Sequence, residues 1–224
     1  MALYGIDVSY AQGQIDWSLV SGEKDFAIIR AGYGANHIDN TAVYNCDETE
    51  NLSFPKGLYW FSYAYTEQMT RDEGIAVAQF AQNYSLAYPI FFDFEYDSLE
   101  FAAAHGVRVD SQLLYDMMKG FCEEVENLGF NSGIYYNADF NARFNIDYFL
   151  SQFPNRTRWI AQWGTQPAYY DIWQYKVAPA GTVSGIATAI DLDIIGDSPT
   201  PPTPPSPTPV NRDTMPIWMY LKQF

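Results

Sequence analysis

Pro89-Ile-Phe-Phe-Asp-Phe-Glu95 is a short apolar run that ends in two carboxylates. Runs of this kind are typical of buried strands, in which side chains two positions apart point to the same side. Asp93 and Glu95 are therefore expected on one wall, where burial beside a like charge raises one pKa and leaves the other group ionised, as acid–base catalysis requires. Helix caps, ion pairs and ligands for a hard cation are alternatives that the motif alone leaves open.

Eight apolar runs occur before residue 197, and the early ones alternate with helical patterns. This alternation predicts a parallel sheet covered by helices, and eight strands suggest that the sheet closes into a barrel. After residue 152 the last three strands lie too close together for full crossover helices. The strands are predicted at 3–8, 26–31, 57–64, 89–95, 133–137, 158–163, 171–175 and 187–194, and the helices at 15–21, 41–52, 77–84, 114–128 and 139–150.

The composition of the 224-residue chain excludes several classes of function. A formal net charge of -15 argues against nucleic acid as a partner, because an acidic surface repels phosphate. No signal peptide is recognised at the start and no apolar run reaches bilayer length, so membrane insertion is not expected.

Cys46 and Cys122 have neither the number nor the spacing of a disulfide framework or zinc site, and no metal or cofactor is expected. The 18 Tyr and 6 Trp residues would suit a sugar-binding cleft.

The chain divides into three parts by composition. Residues 1–197 are expected to form the barrel, and residues 198–209 are a Pro-, Thr- and Ser-rich linker that should be extended and semi-rigid. Residues 210–224 are too few to fold alone and too apolar for a simple tail, so we expect them to begin a truncated C-terminal module.

Acidic, aromatic and amide side chains fall at nearly every predicted strand end, where a parallel barrel places its chemistry. The predicted carboxylate cluster consists of Asp7, Asp93, Glu95 and an acid of the last strand, Asp191 or Asp193. Arg30 is expected to hold these carboxylates by charge-assisted hydrogen bonds. Candidates for substrate binding are Arg30, Tyr33, Tyr63, Tyr136, Trp163, Gln174 and Asp193, with core packing as the alternative for the aromatic residues.

A series of motifs along residues 3–195 resembles the family 25 glycoside hydrolases, the lysozymes that include many phage endolysins. Each motif is weak alone, but their order is specific. The resemblance implies a (β/α)5β3 barrel and N-acetylmuramidase activity on peptidoglycan glycan strands. The motifs are Gly5-Ile-Asp7-Val-Ser9, Ile15-Asp16-Trp17, Phe26-Ala-Ile-Ile-Arg30-Ala-Gly, Gly57-Leu-Tyr-Trp-Phe-Ser-Tyr63-Ala, Phe91-Phe-Asp93-Phe-Glu95, Gly133-Ile-Tyr135, Trp159-Ile-Ala-Gln-Trp163 and Ile172-Trp-Gln-Tyr175.

Carried over by motif, the resemblance makes Glu95 the general acid and Asp93 its partner. It favours net retention, with the substrate 2-acetamido group as nucleophile and Asp93 orienting it. Family members commonly end the last strand with Asp-x-Asn, whereas this chain has Asp191-Leu-Asp193. By alignment Asp191 is preferred as the residue that faces the cleft.

Two other functions use the same residues. A metal-dependent hydrolase could bind Mg²⁺ or Ca²⁺ through the four carboxylates, since oxygen clusters suit hard cations. A non-catalytic module could use the cleft only to bind cell wall. The favoured expectation is a phage lysis enzyme, made in the cytoplasm of the host bacterium without a signal peptide, which reaches the wall after the membrane is breached and carries a wall-binding module beyond the linker.

Overall fold

The computed structural model describes residues 1–196, so the predicted linker at 198–209 and the predicted module at 210–224 lie outside the described residues. The strands are β1 Leu3–Val8, β2 Phe26–Tyr33, β3 His37–Ile38, β4 Lys56–Phe61, β5 Ile90–Asp93, β6 Ser132–Asn137, β7 Thr157–Ala161, β8 Ile172–Ala178 and β9 Ile190–Ile195. The helices are α1 Trp17–Val20, α2 Ala42–Asn51, α3 Glu67–Ala81, α4 Tyr96–Ala104, α5 Ser111–Asn127, α6 Ala138–Phe144 and α7 Ile146–Gln152.

Eight of these strands close into a barrel, because β1 pairs with both β2 and β9. The order around the barrel is β1, β2, β4, β5, β6, β7, β8 and β9. β9 runs antiparallel to both of its neighbours, whereas the other pairs in the barrel are parallel. In the described part of the chain no helix connects β7 to β8 or β8 to β9. The predicted α/β barrel with helices missing around its last strands is confirmed.

The two-residue period of the strands separates two hydrophobic cores. Inward-pointing side chains fill the barrel interior, and outward-pointing side chains pack beneath the helices. Phe91 lies in the interior, whereas its neighbours Ile90 and Phe92 belong to the outer core. The interior core consists of Phe26, Ile28, Tyr59, Tyr88, Phe91, Trp159 and Ile172.

Two strand glycines make room for the rings in the interior. A Cβ atom on Gly5 would lie 2.4 Å from the Phe26 ring, and one on Gly133 would lie 2.4 Å from the Phe91 ring. No real side chain tolerates such an approach, so each glycine allows a phenylalanine to fill the barrel. The floor of the barrel is therefore aromatic and densely packed.

Several local elements differ from the prediction, and one of them is α3, which begins at Glu67 and not at residue 77. α4 begins directly after Glu95, in a segment for which no helix was predicted. The predicted helix at 139–150 is divided into α6 and α7 at Asn145, whose φ of 57° lies in the left-handed region. The short strand β3 pairs antiparallel with the end of β2 and was also not predicted. No helix within residues 1–196 combines the length and the apolar character needed to cross a bilayer.

Candidate active site

A cleft of about 830 Å³ opens at the carboxyl ends of the parallel strands and contains four acidic residues of the predicted cluster. Asp7 comes from β1, Asp93 from the end of β5, Glu95 from the position directly before α4, and Asp191 from β9. Four acids from distant parts of the sequence therefore line one cleft. The cleft is further lined by Arg30, Tyr59, Phe61, Tyr96, Tyr135, Asn137, Ala138, Asp139, Trp159, Ala161, Gln162, Trp163, Gln174 and Val177.

The local fold explains why Asp93 and Glu95 both face this cleft. Phe92 precedes Asp93, and Phe94 lies between the two acids. Both phenylalanines belong to the outer core, and their rings stack 6.1 Å apart. Glu95 is the residue that precedes α4, and its backbone N–H donates a 3.0 Å hydrogen bond to Ser98 Oγ. This cap fixes the backbone of Glu95, so that its half-buried side chain is held at the cleft.

Burial raises the pKa of Glu95 above its ordinary value. A hydrogen bond from the Tyr135 hydroxyl opposes this rise in pKa, whereas the charges of Asp97 and Asp191 add to it. Glu95 is therefore a carboxyl group that holds its proton to higher pH than an exposed glutamate, as a general acid must.

Asp93 is more deeply buried than Glu95. Burial and the neighbouring charge of Glu95 raise the pKa of Asp93 well above its ordinary value, and the charge of Arg30 opposes the rise. Among residues 1–196, no donor forms a hydrogen bond with Asp93 Oδ1. Because the charge of Glu95 helps to raise the pKa of Asp93 well above its ordinary value, Asp93 holds its proton more tightly than Glu95 in the protein without substrate.

The last strand supplies one acid to the cleft and one beneath it. Asp191 lies opposite Asp7 in the β1–β9 ladder and lines the cleft, and burial raises its pKa. Asp193 is 0% exposed, and Trp159 Nε1 donates a 2.8 Å hydrogen bond to its Oδ1. The prediction that Asp193 contacts substrate is wrong, because its side chain is sealed under the cleft.

Asp7 and Asp193 form a hydrogen-bonded pair of carboxyl groups, which requires a proton on one of them. Burial raises the pKa of Asp193 to about 7, although the hydrogen bonds from Trp159 and Asp7 lower it. Burial, together with the charges of Asp193 and Asp191, also raises the pKa of Asp7 well above its ordinary value. Gln174 Nε2 donates a 2.8 Å hydrogen bond to Asp7 Oδ2, so this predicted binding residue positions an acid of the cluster.

The predicted aromatic residues separate into three groups. Trp163 lines the cleft and is 65% exposed. Tyr33 and Tyr63 line a smaller neighbouring pocket of about 360 Å³. Tyr136 is 1% exposed, and its hydroxyl donates a 2.6 Å hydrogen bond to Asp147 Oδ1 beneath the helices. The prediction that Tyr136 lines the cleft is wrong, since the alternation of β6 turns Tyr135 inward and Tyr136 outward.

Arg30 lies between the cleft and the smaller pocket. Its Nε donates a 2.7 Å hydrogen bond to Asp39 Oδ2. The prediction that Arg30 is hydrogen-bonded to the carboxylate cluster is therefore wrong, because its ion pair is made with Asp39 at the end of the β2–β3 hairpin. The charge of Arg30 nevertheless acts on Asp93 through space, where it opposes the rise in the pKa of Asp93.

Several residues of the cleft were not predicted. The single hydroxyl proton of Tyr135 is donated to Gln174 Oε1 at 3.2 Å or to the ionised Glu95, and the bond to Glu95 lowers its pKa. The sequence alone does not separate Tyr135 from Tyr136, but the register of the β5–β6 ladder places Tyr135 beside Asp93. Val177 reaches the cleft because β8 has an irregularity between Gln174 and Lys176, which alternation could not have revealed.

The fold is shared with several bacterial wall-lytic proteins. The modular autolysin LytC of Streptococcus pneumoniae, solved with a synthetic peptidoglycan ligand, superimposes with a TM-score of 0.72 at 21% identity over 86% of this chain and 46% of its own. The catalytic domain of an endolysin from a bacteriophage of Listeria monocytogenes gives a TM-score of 0.69 at 22% identity, covering 88% of this chain and 94% of that domain. For the lysozyme of Streptomyces coelicolor the corresponding values are 0.66, 23%, 88% and 93%.

These structural likenesses concern the fold, and the chain spans about half the length of LytC. A search of curated protein sequences found no match. The sequence model of the glycosyl hydrolases family 25, however, matches residues 6–185, from β1 to the loop before β9. That match includes Asp7, Asp93 and Glu95 of the predicted carboxylate cluster and confirms the resemblance seen in the ordered motifs. The chain belongs to family 25 of the glycosyl hydrolases.

Proposed function

We propose that the protein is a peptidoglycan hydrolase that cleaves the β-1,4 bond between N-acetylmuramic acid and N-acetylglucosamine. The observation that carries the proposal is the placement of Glu95, a half-buried carboxyl group with a raised pKa, in a cleft beside Asp7, Asp93 and Asp191. Membership of family 25 supports a glycosidase, and the peptidoglycan ligand of the LytC structure supports the choice of polymer.

In the proposed reaction Glu95 donates its proton to the glycosidic oxygen as the bond to the muramic acid C1 breaks. The carbonyl oxygen of the muramic acid 2-acetamido group attacks C1, and an oxygen of Asp93 accepts a hydrogen bond from the acetamido N–H. Asp93, whose pKa is raised in the protein without substrate, must be ionised in this complex for its carboxylate to stabilise the positive charge of the cyclic intermediate. Water then attacks C1 while Glu95 takes its proton. Two displacements at one carbon give net retention of configuration.

The first test is the variant Glu95→Gln, which keeps the size of the side chain but removes the transferable proton. We expect turnover of purified peptidoglycan to fall by about 10² to 10⁴, the usual contribution of a positioned acid. The matched control is Glu100→Gln, an exposed residue of the same helix that lies outside the cleft. Full lytic activity of Glu95→Gln would show that Glu95 is not the general acid. If the unmodified protein instead binds the wall without cleaving it and Glu95→Gln binds equally well, the alternative of a non-catalytic binding module is favoured.

The bond and the mechanism have separate readouts. Mass spectrometry of the digest should find new reducing ends on muramic acid, and reducing ends on glucosamine or free peptides would contradict the proposed bond. Proton NMR during the first turnovers should show the β-anomer of the new end, whereas the α-anomer would indicate inversion. Substrate in which the muramic acid amine is deacetylated should resist cleavage if the acetamido group is the nucleophile.

The metal-dependent alternative has less support from the geometry. Within residues 1–196, no three acidic, histidine or cysteine side chains lie close enough together to hold a metal ion. We therefore expect activity to persist in EDTA. Activity that is lost in EDTA and restored by Mg²⁺ or Ca²⁺ would favour that alternative instead.

The biological setting is also part of the proposal. We propose that the enzyme belongs to a phage or prophage, accumulates in the cytoplasm of its host and reaches the wall once the membrane is breached. In this setting the linker would tether a wall-binding module and raise the local concentration of the barrel at the wall. Fractionation of host cells before and after membrane permeabilisation tests this directly, since protein found at the intact wall before permeabilisation would refute it.

A further inference from the structure

A second pocket, of about 360 Å³, opens beside the catalytic cleft and shares Arg30 and Phe61 with it. This volume lies within the range of roughly 300 to 1,000 Å³ that is typical of small-molecule sites. The pocket also approaches Glu95 along the chain, because Asp97 of the first turn of α4 is one of its lining residues. Its remaining lining residues are Tyr10, Tyr33, Asp39, Asn40 and Tyr63.

Arg30 is held in this pocket in a way that leaves donors free. Its guanidinium carbon lies 4.7 Å from the centre of the Tyr10 ring and 5.5 Å from that of the Tyr33 ring. Only its Nε forms a hydrogen bond among residues 1–196, and that bond goes to Asp39. The two terminal nitrogens of Arg30 are therefore available to an acceptor on a ligand.

Asp39 itself is not available to a ligand cation. Its Oδ2 accepts from Arg30 and from the Tyr10 backbone N–H at 3.1 Å. Its Oδ1 accepts from the backbone N–H and the hydroxyl of Thr41, each at 2.9 Å. The carboxylate is thus saturated by protein donors, and its role is to position Arg30.

The walls of the pocket are aromatic. Tyr63 packs against Phe61 at 5.1 Å and edge-on against Tyr33 at 6.4 Å. Asp97, which is exposed, adds a hydrogen-bond acceptor. Free donors at Arg30, an acceptor at Asp97 and apolar rings between them match a chain of amide groups that carries small apolar side groups.

We propose that this pocket binds the first residues of the peptide stem that muramic acid carries on its lactyl group. The inference rests on the proposed function, because a glycan strand in the cleft would place a muramic acid next to Glu95. The shared wall at Arg30 and Phe61 gives the lactyl branch a direct way out of the cleft, and two extended residues span only about 7 Å. Arg30 donates to the carbonyl oxygens of the stem, and the rings of Tyr33 and Tyr63 pack against its methyl groups.

The test compares two forms of one substrate, glycan strands with intact peptide stems and the same strands after removal of the stems by an amidase. Removal leaves a lactyl carboxylate, which still offers an acceptor to Arg30 but nothing to the outer rings. The main variant is therefore Tyr33→Ala, since Tyr33 is 37% exposed and its truncation opens no cavity in the core. The control is Tyr148→Ala, a 56% exposed tyrosine of α7 that lines neither pocket.

For Tyr33→Ala we expect the ratio of kcat/KM on stem-bearing strands to kcat/KM on stripped strands to fall about tenfold, while Tyr148→Ala leaves the ratio unchanged.

As a second measurement, the Glu95→Gln protein should bind a disaccharide with a dipeptide stem more tightly than the same disaccharide without it. An unchanged ratio would overturn the inference. An equal loss on both substrates would also overturn it, because it would identify a sugar subsite. Failure of the unmodified enzyme to cleave either substrate would instead contradict the proposed function.

Discussion

Replacement of Asp193 by asparagine should make the protein more stable at alkaline pH. Asp193 is 0% exposed, accepts from Trp159 Nε1 and shares a proton with Asp7. An asparagine at this position can keep the bond from Trp159 through its amide oxygen and can donate to Asp7 through its amide nitrogen. The variant therefore removes a buried titrating group while both of its hydrogen-bond partners remain satisfied.

The size of the effect follows from the pKa of Asp193, which burial raises from 3.8 to about 7. Between these values the folded state holds one proton more than the unfolded state, so the free energy of unfolding falls as pH rises. The stabilising contribution of the bound proton is complete below pH 3.8 and is lost as pH rises through about 7. At about 1.4 kcal/mol per pKa unit, the loss over the roughly three units is ~4 kcal/mol as an upper limit.

The assay is urea unfolding at pH 5, 7 and 9, with Asp72→Asn on the exposed face of α3 as control. Asp193→Asn should exceed the unmodified protein in stability by ~2–4 kcal/mol at pH 9, and the difference should shrink towards pH 5. Equal slopes of stability against pH for the two proteins would refute the reasoning. So would a variant that is less stable at every pH, because it would mean that the asparagine leaves a partner unsatisfied.

Three further predictions concern Glu95 and the barrel floor. Tyr135→Phe removes the hydrogen bond that lowers the pKa of Glu95, so the alkaline limb of the pH profile of kcat/KM should move to higher pH. Asp191→Asn removes a charge that raises that pKa, so the same limb should move to lower pH. Gly133→Ala should lower the free energy of unfolding by ~1–3 kcal/mol in a urea titration, because its Cβ would meet the Phe91 ring at 2.4 Å.

Much of the barrel could be predicted because its strands are short, apolar and separated by turn residues. The same two-residue period predicted that Asp93 and Glu95 share a face of one strand. The structure places both in the cleft, but β5 ends at Asp93 and Glu95 is the residue before α4. Period alone, however, does not say which face of a strand is inward when both faces are apolar. Tyr135 and Tyr136 show this ambiguity, since both are aromatic and only the register with β5 decides between them.

Other features depend on contacts between distant parts of the chain. Arg30 pairs with Asp39 because the β2–β3 hairpin returns the chain to it, and no local pattern announced that hairpin. Glu73, on α3, accepts a 2.6 Å hydrogen bond from the hydroxyl of Ser62, and burial raises its pKa to about 8. A glutamate in an amphipathic helix is usually exposed, so its burial at the end of β4 could not be inferred from the sequence.

The burial that prepares the cleft for catalysis also opposes folding, and Trp159 connects the two effects. Its ring packs against Phe91 at 5.1 Å in the barrel floor, while its N–H donates to Asp193 beneath the cleft. The acids thus rest on an apolar floor that cannot rearrange to solvate them, and for this reason burial raises the pKa of Asp7, Asp93 and Glu95. A general acid that stays protonated and a fold that weakens at high pH are therefore two results of one arrangement. The substitution Asp193→Asn should separate these two results, because Asp193 pairs with Asp7 beneath the cleft but does not reach the substrate. The variant should be more stable at high pH, while burial still raises the pKa of Glu95.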